Sequence, residues 1–228
     1  MIKSIIFDLD NTICDFSGAE EVAKLKLSSL VFSLSVNPDK YWLIFDALNS
    51  KLFSKYTAGE IKLIEYQTKR FYDPFINLGL PLNAVKKHIS LMNEIYMNTC
   101  NKEIHFFNDA VPALLNISKK GIHTCILTNG PSNGQRSKIN SLFLEDIIDD
   151  IFISSEIGVS KPNLSAFAYV HKKLAIPREE ILMVGDSAYY DYFPAKKYGF
   201  KAVLLDREGK VNHADRISSL RDLENIIH

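Results

Sequence analysis

The sequence lacks three features that would each indicate a particular class of protein, and the first two are paired cysteines and an excess of charge. Its three cysteines, Cys14, Cys100 and Cys125, have no CxxC spacing, so the sequence predicts neither a disulfide framework nor a zinc site. Its 27 basic residues are balanced by 27 acidic ones and are scattered along the chain, which argues against a nucleic-acid groove. We therefore expect no nucleic-acid partner.

The third missing feature is a long apolar run. The first apolar run ends at Asp8 after a single lysine, which makes it too short for a secretory signal, and no run approaches the length of a membrane span. We expect a cytoplasmic protein with no membrane partner, and the sequence predicts no oligomeric state. With 228 residues, of which 46% are hydrophobic, the chain can form one sizeable core, or one core with a smaller satellite.

What the sequence does contain is an alternation of short apolar runs with helical patterns. Apolar runs of strand length lie at Ser4–Phe7, Ile122–Leu127, Asp150–Ile153, Ile181–Val184 and Lys201–Leu205. Helical patterns lie at Asp109–Lys120, Gly134–Phe143, Asn163–Leu174, Tyr192–Tyr198 and Asp215–Ile227. This alternation is typical of a parallel sheet with crossover helices, so we predict an α/β fold with a Rossmann-like parallel sheet core.

Residues 15–104 interrupt this alternation with helical periodicity almost throughout. Apolar residues recur at helical spacing, as in the series Val85, Ile89, Met92 and Tyr96, and Asn37-Pro38 is a helix start signal. The sequence therefore predicts two domains: an α/β core of residues 1–14 and 105–228, and an all-helical domain of residues 15–104 inserted after the first strand. We expect most aromatic residues of the insert to pack between its helices.

Polar residues follow four of the predicted strands. In an open parallel sheet, the residues beyond the carboxyl ends of the strands meet along one edge. The segments concerned are Asp8-Leu9-Asp10, Thr128-Asn129-Gly130, Ser160-Lys161-Pro162, and Gly185-Asp186-Ser187 with Asp191. We expect these four segments to converge on one site.

The chemistry of such a set is narrow. Several carboxylates with one lysine form a hard oxygen site that suits Mg²⁺, and Thr128 and Asn129 supply hydrogen-bond donors where a phosphate would bind. A carboxylate can also act as a nucleophile toward phosphorus, although two unit charges about 4 Å apart repel by about 4 kcal/mol at an effective dielectric constant of about 20. A divalent cation and Lys161 would offset that repulsion, and we expect Lys161 to lower the pKa of the nucleophile.

These segments resemble the four ordered motifs of the haloacid dehalogenase superfamily. The matching motifs are Asp8-Leu9-Asp10-Asn11-Thr12, Leu127-Thr128-Asn129-Gly130, Lys161-Pro162, and Val184-Gly185-Asp186-Ser187 followed by Asp191. The resemblance extends from residue 5 to about residue 205. It also covers the helical insert, which is similar to the family's cap domain of the type that follows the first strand.

The resemblance implies a role for each matching residue. Asp8 would be the nucleophile and Asp10 the general acid and base, while Lys161 would join the nucleophile to the phosphate. Thr128, with Asn129 beside it, would bind the transferring phosphoryl group. Asp8, the backbone carbonyl of Asp10, and Asp186 would hold Mg²⁺, with Asp191 in an outer supporting position.

Asp10 favours phosphate chemistry over dehalogenation, since metal-free dehalogenases of the family differ at that position. The resemblance thus implies a Mg²⁺-dependent phosphatase that hydrolyses a small phosphomonoester metabolite through an aspartyl-phosphate. The segment Thr57-Ala58-Gly59-Glu60 and the pair Arg70-Phe71 faintly resemble nucleotidase caps, so sugar phosphates and nucleoside monophosphates are both candidate substrates. Two alternatives remain: a phosphomutase of the β-phosphoglucomutase type, and a non-enzymatic phosphoryl-accepting signalling domain.

The residues around Asp191 allow one local prediction. Pro194 would break a helix that began at Ser187, but it is tolerated in a first turn. We therefore predict that Ser187–Tyr190 is a loop and that Asp191 is the N-cap of the following helix. Capping and metal support are both open as the role of Asp191.

Overall fold

A computed structural model of the protein describes residues 1–211 and 215–227. The chain divides into two compact units. One contains Met1–Phe16 and Ile104–His228, and the other contains Ser17–Glu103. No helix within the described residues is both long enough and apolar enough to span a membrane.

The first unit contains a six-stranded parallel sheet with the strand order β3-β2-β1-β4-β5-β6. The strands are β1 (Ser4–Phe7), β2 (His123–Thr128), β3 (Asp150–Ile153), β4 (Ile181–Gly185), β5 (Lys201–Leu205) and β6 (Arg216–Ile217). This sheet confirms the predicted α/β fold. The central strands β1 and β4 are buried along their whole length, as expected for apolar strands that are covered on both faces.

Helices of this unit connect the strands. They are α5 (Ala110–Lys119), α6 (Ser132–Ser141), α7 (Ser154–Ile157), α8 (Leu164–Leu174) and α9 (Phe193–Tyr198). Helix α8 begins after Asn163, whose side chain accepts a hydrogen bond from the Ser165 backbone N–H, a common N-cap contact. Side chains from the sheet and from α8 and α9, among them Ile6, Met183 and Phe167, form a buried apolar core.

Two predictions about this unit are wrong. Within Asp215–Ile227, predicted as one helix, the structure has β6 and a 3₁₀ helix over Leu220–Asn225. The backbone N–H of Leu204 donates to the Asp215 carbonyl and that of Asp206 donates to the Ile217 carbonyl, so pairing with β5 outweighs the local helical pattern.

The predicted loop at Ser187–Tyr190 is also wrong, because Ala188–Tyr192 form a π-helical turn that leads directly into α9. Ser187, not Asp191, is the capping residue, since its side chain accepts a hydrogen bond from the Tyr190 backbone N–H. The wider π turn lets the helical segment begin before Asp191 and still place Pro194 near the start of α9, where its missing N–H costs nothing.

The second unit is all-helical. Its helices are α1 (Phe16–Ser33), which begins at the last residue of the first unit, α2 (Pro38–Thr57), α3 (Leu63–Asn77) and α4 (Leu82–Glu103). Asn37 caps α2 through a hydrogen bond from the Lys40 backbone N–H. Most of the aromatic side chains of this unit are buried, as predicted: Tyr41, Trp42, Phe45, Tyr66, Phe71, Phe75 and Tyr96.

Candidate active site

The site lies at the ends of β1 and β4, where the strand order reverses: from β1 the chain adds β2 and β3 on one side and β4 on the other. Phe7 pairs with Val184 in the register of β1 and β4, and the next backbone N–H, that of Asp8, donates to the Val184 carbonyl at 2.9 Å. Asp8 and Asp186 therefore leave adjacent strands at the same edge. In open parallel sheets this edge, at the reversal of strand order, is the usual position of a ligand site.

Lys161 is the centre of the buried charges at this edge. Its Nζ lies 2.6 Å from Asp8 Oδ1 and 2.6 Å from Asp191 Oδ1, and the residue is 1% exposed. The amide of Asn129 holds the Lys161 backbone on both sides: its Nδ2 donates to the Lys161 carbonyl at 2.8 Å, and the Lys161 N–H donates to its Oδ1 at 3.0 Å. Asn129, predicted to bind substrate, thus has a direct contact that fixes Lys161.

The charge balance around Lys161 determines the pKa of each group. Burial alone would lower the pKa of the Lys161 ammonium, but the charges of Asp191 and Asp8 outweigh burial and raise it. Burial raises the pKa of Asp8 well above its usual value, Lys161 opposes this, and the charges of Asp191 and Asp186 reinforce it. Lys161 thus lowers the pKa of Asp8, as predicted, but burial and two further carboxylates outweigh the ammonium, so the net pKa is raised and not lowered.

Asp186 is the third carboxylate of this group. Although part of its side chain reaches solvent, the loss of water around its carboxyl group and the charge of Asp191 raise its pKa to about 7. Thr12 holds the segment in place, because its Oγ1 accepts a hydrogen bond from the Asp186 backbone N–H at 3.1 Å.

The donor set fits a hard divalent cation. Single carboxylate oxygens of Asp8, Asp186 and Asp191 lie within 4.8 Å of one another. These three carboxylates lie near one ammonium, that of Lys161, and burial, together with repulsion from neighbouring carboxylates, raises the pKa values of Asp8 and Asp186. An all-oxygen set with three carboxylates and one ammonium suits Mg²⁺.

Gly185 permits the close approach of Asp191. A Cβ atom at this position would lie 2.3 Å from Asp191 Oδ2, a distance that side chains do not adopt. Asp191 is 1% exposed, and its Oδ2 accepts a hydrogen bond from the Ser187 backbone N–H at 3.1 Å. The Gly-Asp sequence of the fourth motif thus has a steric reason: the glycine makes room for a carboxylate that contacts Lys161.

Asp10 has different partners. Both of its carboxylate oxygens bond to the Lys138 Nζ, at 2.5 and 2.6 Å, and Oδ2 also accepts a hydrogen bond from Gln135 Nε2 at 3.1 Å. The same Gln135 nitrogen lies 2.5 Å from Thr128 Oγ1. The structure therefore separates the two aspartates of the first motif, with Asp8 on Lys161 and Asp10 on Lys138.

Gln135 and Lys138 were not identified from the sequence. They lie three positions apart on α6 and are buried together with Ile139 on one face of the helix. The helical period places both residues on the face of α6 that would normally be apolar. Two polar residues on such a face could have indicated a functional role. A buried Lys at 3% exposure, in particular, needs a charged partner.

Comparison with known proteins shows one family. The family model of the haloacid dehalogenase-like hydrolases matches residues 2–199. Glyceraldehyde 3-phosphate phosphatase of Pyrococcus furiosus is 30% identical over 204 residues, which cover 89% of this chain and 80% of the relative. Pyrimidine 5′-nucleotidase YjjG of Escherichia coli is 29% identical over 230 residues, which cover 98% of this chain and 96% of the relative.

A solved structure supports the same fold. The HAD hydrolase YfnB of Bacillus subtilis, in a crystal form bound to magnesium, superposes with a TM-score of 0.81 at 23% identity. The match covers 100% of this chain and 99% of that one, so the fold similarity includes both units.

Proposed function

The chain belongs to the haloacid dehalogenase-like hydrolases and is a phosphoric monoester hydrolase, and we propose that it is a Mg²⁺-dependent phosphatase that forms an aspartyl-phosphate on Asp8. The observation that carries the proposal is the buried Asp8–Lys161–Asp191 triad beside Asp186, at the edge where the strand order reverses. We propose further that residues 1–14 and 105–228 are the catalytic core and that residues 15–104 are a cap that selects the substrate.

In the first step, an Asp8 carboxylate oxygen attacks the phosphorus of the substrate, and the bond from phosphorus to the leaving oxygen breaks. Asp10 donates a proton to that oxygen, so the product leaves as an alcohol. Lys161, 2.6 Å from Asp8, neutralises part of the charge that gathers as two anions meet. Mg²⁺, held by Asp8, Asp186 and the Asp10 carbonyl with Asp191 in support, would supply positive charge at the reacting phosphoryl group.

In the second step, water attacks the aspartyl-phosphate. Asp10, now ionised, accepts a proton from the water, the bond between phosphorus and the Asp8 oxygen breaks, and inorganic phosphate is released. Thr128 binds the phosphoryl group in both steps. Thr128 Oγ1 accepts a hydrogen bond from Gln135 Nε2 and donates to the Asn129 carbonyl at 3.4 Å, and we propose that its hydrogen turns to a phosphoryl oxygen when the substrate binds.

The substrate is a small phosphorylated metabolite, and we propose a sugar phosphate or a nucleoside monophosphate. Two relatives support this range, because their names give a phosphorylated triose and pyrimidine nucleotides as their substrates. A release assay for inorganic phosphate over a panel of both classes would identify the preferred one. β-Glucose 1-phosphate belongs in the panel, since isomerisation faster than phosphate release would indicate a mutase.

The test of the catalytic proposal is Asp8→Asn. We expect this variant to lose phosphate release from p-nitrophenyl phosphate by at least about 10³-fold, because an amide is a poor nucleophile. The exposed Asp146→Asn is the matched control and should retain wild-type activity. EDTA should abolish activity and added Mg²⁺ should restore it. Wild-type rates for Asp8→Asn, or activity that EDTA does not change, would contradict the proposal.

A further inference from the structure

We infer that Lys138 and Gln135 of α6 are positioning residues that fix the Asp10 carboxylate for proton transfer to the leaving group. This inference rests on the proposed function, in which Asp10 is the proton donor. It assigns a role to two side chains outside the four motifs: they hold the Asp10 carboxylate in position.

Lys138 contacts the Asp10 carboxylate at two points. The ammonium lies 2.5 and 2.6 Å from the two oxygens of one carboxylate, and such a two-point contact restrains rotation of the ionised carboxylate about its last torsion; when Asp10 holds its proton, its other oxygen still accepts from Lys138. The Lys138 side chain is 4% exposed, whereas that of Asp10 is 26% exposed, so the lysine holds the carboxylate from the protein side and leaves it accessible to a substrate. The Phe16 ring, with its centroid 4.4 Å from Nζ, supports the ammonium from another side.

Gln135 joins Asp10 to the segment proposed to bind the phosphoryl group, Thr128-Asn129. Its Nε2 lies 3.1 Å from Asp10 Oδ2, 2.5 Å from Thr128 Oγ1 and 2.9 Å from the Asn129 carbonyl. An amide nitrogen carries two hydrogens, so these three acceptors share them. One side chain therefore sets the distance between the group that handles the proton and the group that binds the phosphoryl.

The two residues act from one rigid element. They lie at i and i+3 on α6, and Gln135 is 2% and Lys138 3% exposed. Because both are buried, neither serves as a surface charge for solubility. A proton donor needs an accurate distance to the leaving oxygen, and a misplacement of about 1 Å can lower a rate by about 10²-fold.

A displaced proton donor has a measurable consequence that depends on the leaving group. The p-nitrophenolate ion is stable enough to leave without a proton, whereas an alkoxide is not. Loss of Asp10 positioning should therefore slow an alkyl phosphate more than p-nitrophenyl phosphate. A merely structural role for Lys138 would lower both rates by the same factor.

The experiment compares Lys138→Met, Lys138→Arg and the wild type with glycerol 3-phosphate and p-nitrophenyl phosphate. We expect Lys138→Met to lower kcat for the alkyl phosphate by at least about tenfold more than for the aryl phosphate, with KM little changed, since general acid catalysis contributes about 10²- to 10⁴-fold. Lys138→Arg, which keeps a cation able to bond both oxygens, should recover part of the difference. Lys172→Met, an exposed lysine on α8, is the control and should match the wild type.

If Lys138→Met does not fold, Gln135→Met provides the same test, because it removes the Gln135 contacts to Asp10 and Thr128 and retains Lys138. It should show the same preference for the aryl phosphate, to a smaller extent. Equal loss with both substrates, or a change confined to KM, would overturn the inference. The proposed function fails separately, when the wild type releases no phosphate from either substrate or when Asp8→Asn remains active.

Discussion

Both units bury cationic side chains, and the surroundings of Lys161 in one unit and Arg70 in the other differ. In the α/β unit, Lys161 is 1% exposed and lies between two carboxylates, those of Asp8 and Asp191. In the helical unit, Arg70 is 4% exposed and donates to Asn93 Oδ1 at 2.5 Å. Within the part of the chain that the structure describes, no carboxylate lies within 4.0 Å of the Arg70 guanidinium nitrogens.

Aromatic rings take the place of carboxylates around Arg70. Its guanidinium carbon lies 5.1, 5.0 and 4.8 Å from the ring centroids of Tyr66, Phe71 and Tyr96. Rings stabilise a cation without a counter-charge and do not exchange protons with it. A buried cation alone therefore does not mark a reactive site. Lys161 belongs to a group of charges that is incompletely balanced, whereas Arg70 belongs to the packing of its unit.

The largest effect should come from removing Lys161. In Lys161→Met, Asp8 and Asp191 remain buried with no cation between them, and we expect a loss of about 3–5 kcal/mol in the free energy of unfolding. Urea unfolding at neutral pH measures this loss, with Lys172→Met as the control. Phosphate release should be lost as well. A variant as stable as the wild type would show that the two carboxylates do not depend on Lys161.

Gly185→Ala tests the same charges through packing. The added Cβ would lie 2.3 Å from Asp191 Oδ2 and must displace that carboxylate from Lys161. We expect a destabilisation of about 1–3 kcal/mol together with a lower kcat for p-nitrophenyl phosphate. Thermal unfolding and steady-state kinetics measure the two effects. A stable, fully active Gly185→Ala variant would mean that the position of Asp191 is unimportant.

Arg70→Met tests the other side of the comparison. It removes the cation from the three rings and the hydrogen bond to Asn93 but leaves no carboxylate uncompensated, so we expect a loss of about 2 kcal/mol. Phosphate release from p-nitrophenyl phosphate should remain at the wild-type level. If activity falls while urea unfolding is unchanged, Arg70 acts on the substrate and the contrast with Lys161 is wrong.

We expect the smallest effect at Asp109, a carboxylate of the α/β unit whose charge is paired with that of Arg207. Burial alone would raise the pKa of Asp109, but hydrogen bonds from Arg207, the Leu220 N–H and Ser219 outweigh burial and hold it below its usual value. Since the folded-state pKa is lowered, this stabilisation is complete above the unfolded-state value of about 3.9 and is lost as the pH falls through the folded-state value.

We therefore expect Asp109→Asn to cost about 1 kcal/mol at pH 7 and progressively less as the pH is lowered below about 4. Urea unfolding of the variant and the wild type at pH 7 and at several pH values below about 4 measures the difference in the free energy of unfolding. A difference that is constant with pH would show that the Asp109 charge does not contribute.

Much of the fold could be predicted from the sequence because its signals are local. Ser4–Phe7, Asp150–Ile153 and Lys201–Leu205 are apolar runs bounded by turn residues, and the structure has strands with the same bounds. The prediction of a helix at Asp215–Ile227 was wrong because Arg216–Ile217 pair with β5, a partner more than ten positions away along the chain. Local periodicity does not report such pairing.

The candidate site could be predicted in part. Asp8 and Asp186 directly follow β1 and β4, and Thr128 is the last residue of β2, so the direction of the sheet places them; Lys161 lies beyond β3 and α7, and its motif rather than its position after a strand identified it. Lys138 lies inside a helix, and its contact with Asp10, 128 positions earlier, depends on how α6 packs. The net direction of the pKa shift of Asp8 could not be predicted either, because it depends on burial and on the distances to Asp186 and Asp191.

The central claim is that Asp8 becomes phosphorylated during turnover. Acid quenching of the wild type during steady-state hydrolysis, followed by peptide mass spectrometry, measures this directly. We expect the peptide containing Asp8 to carry one phosphoryl group, which disappears when the substrate is exhausted and never forms in Asp8→Asn. A wild-type enzyme that turns over with this peptide unmodified, while the phosphoryl group is found on another residue, would contradict it.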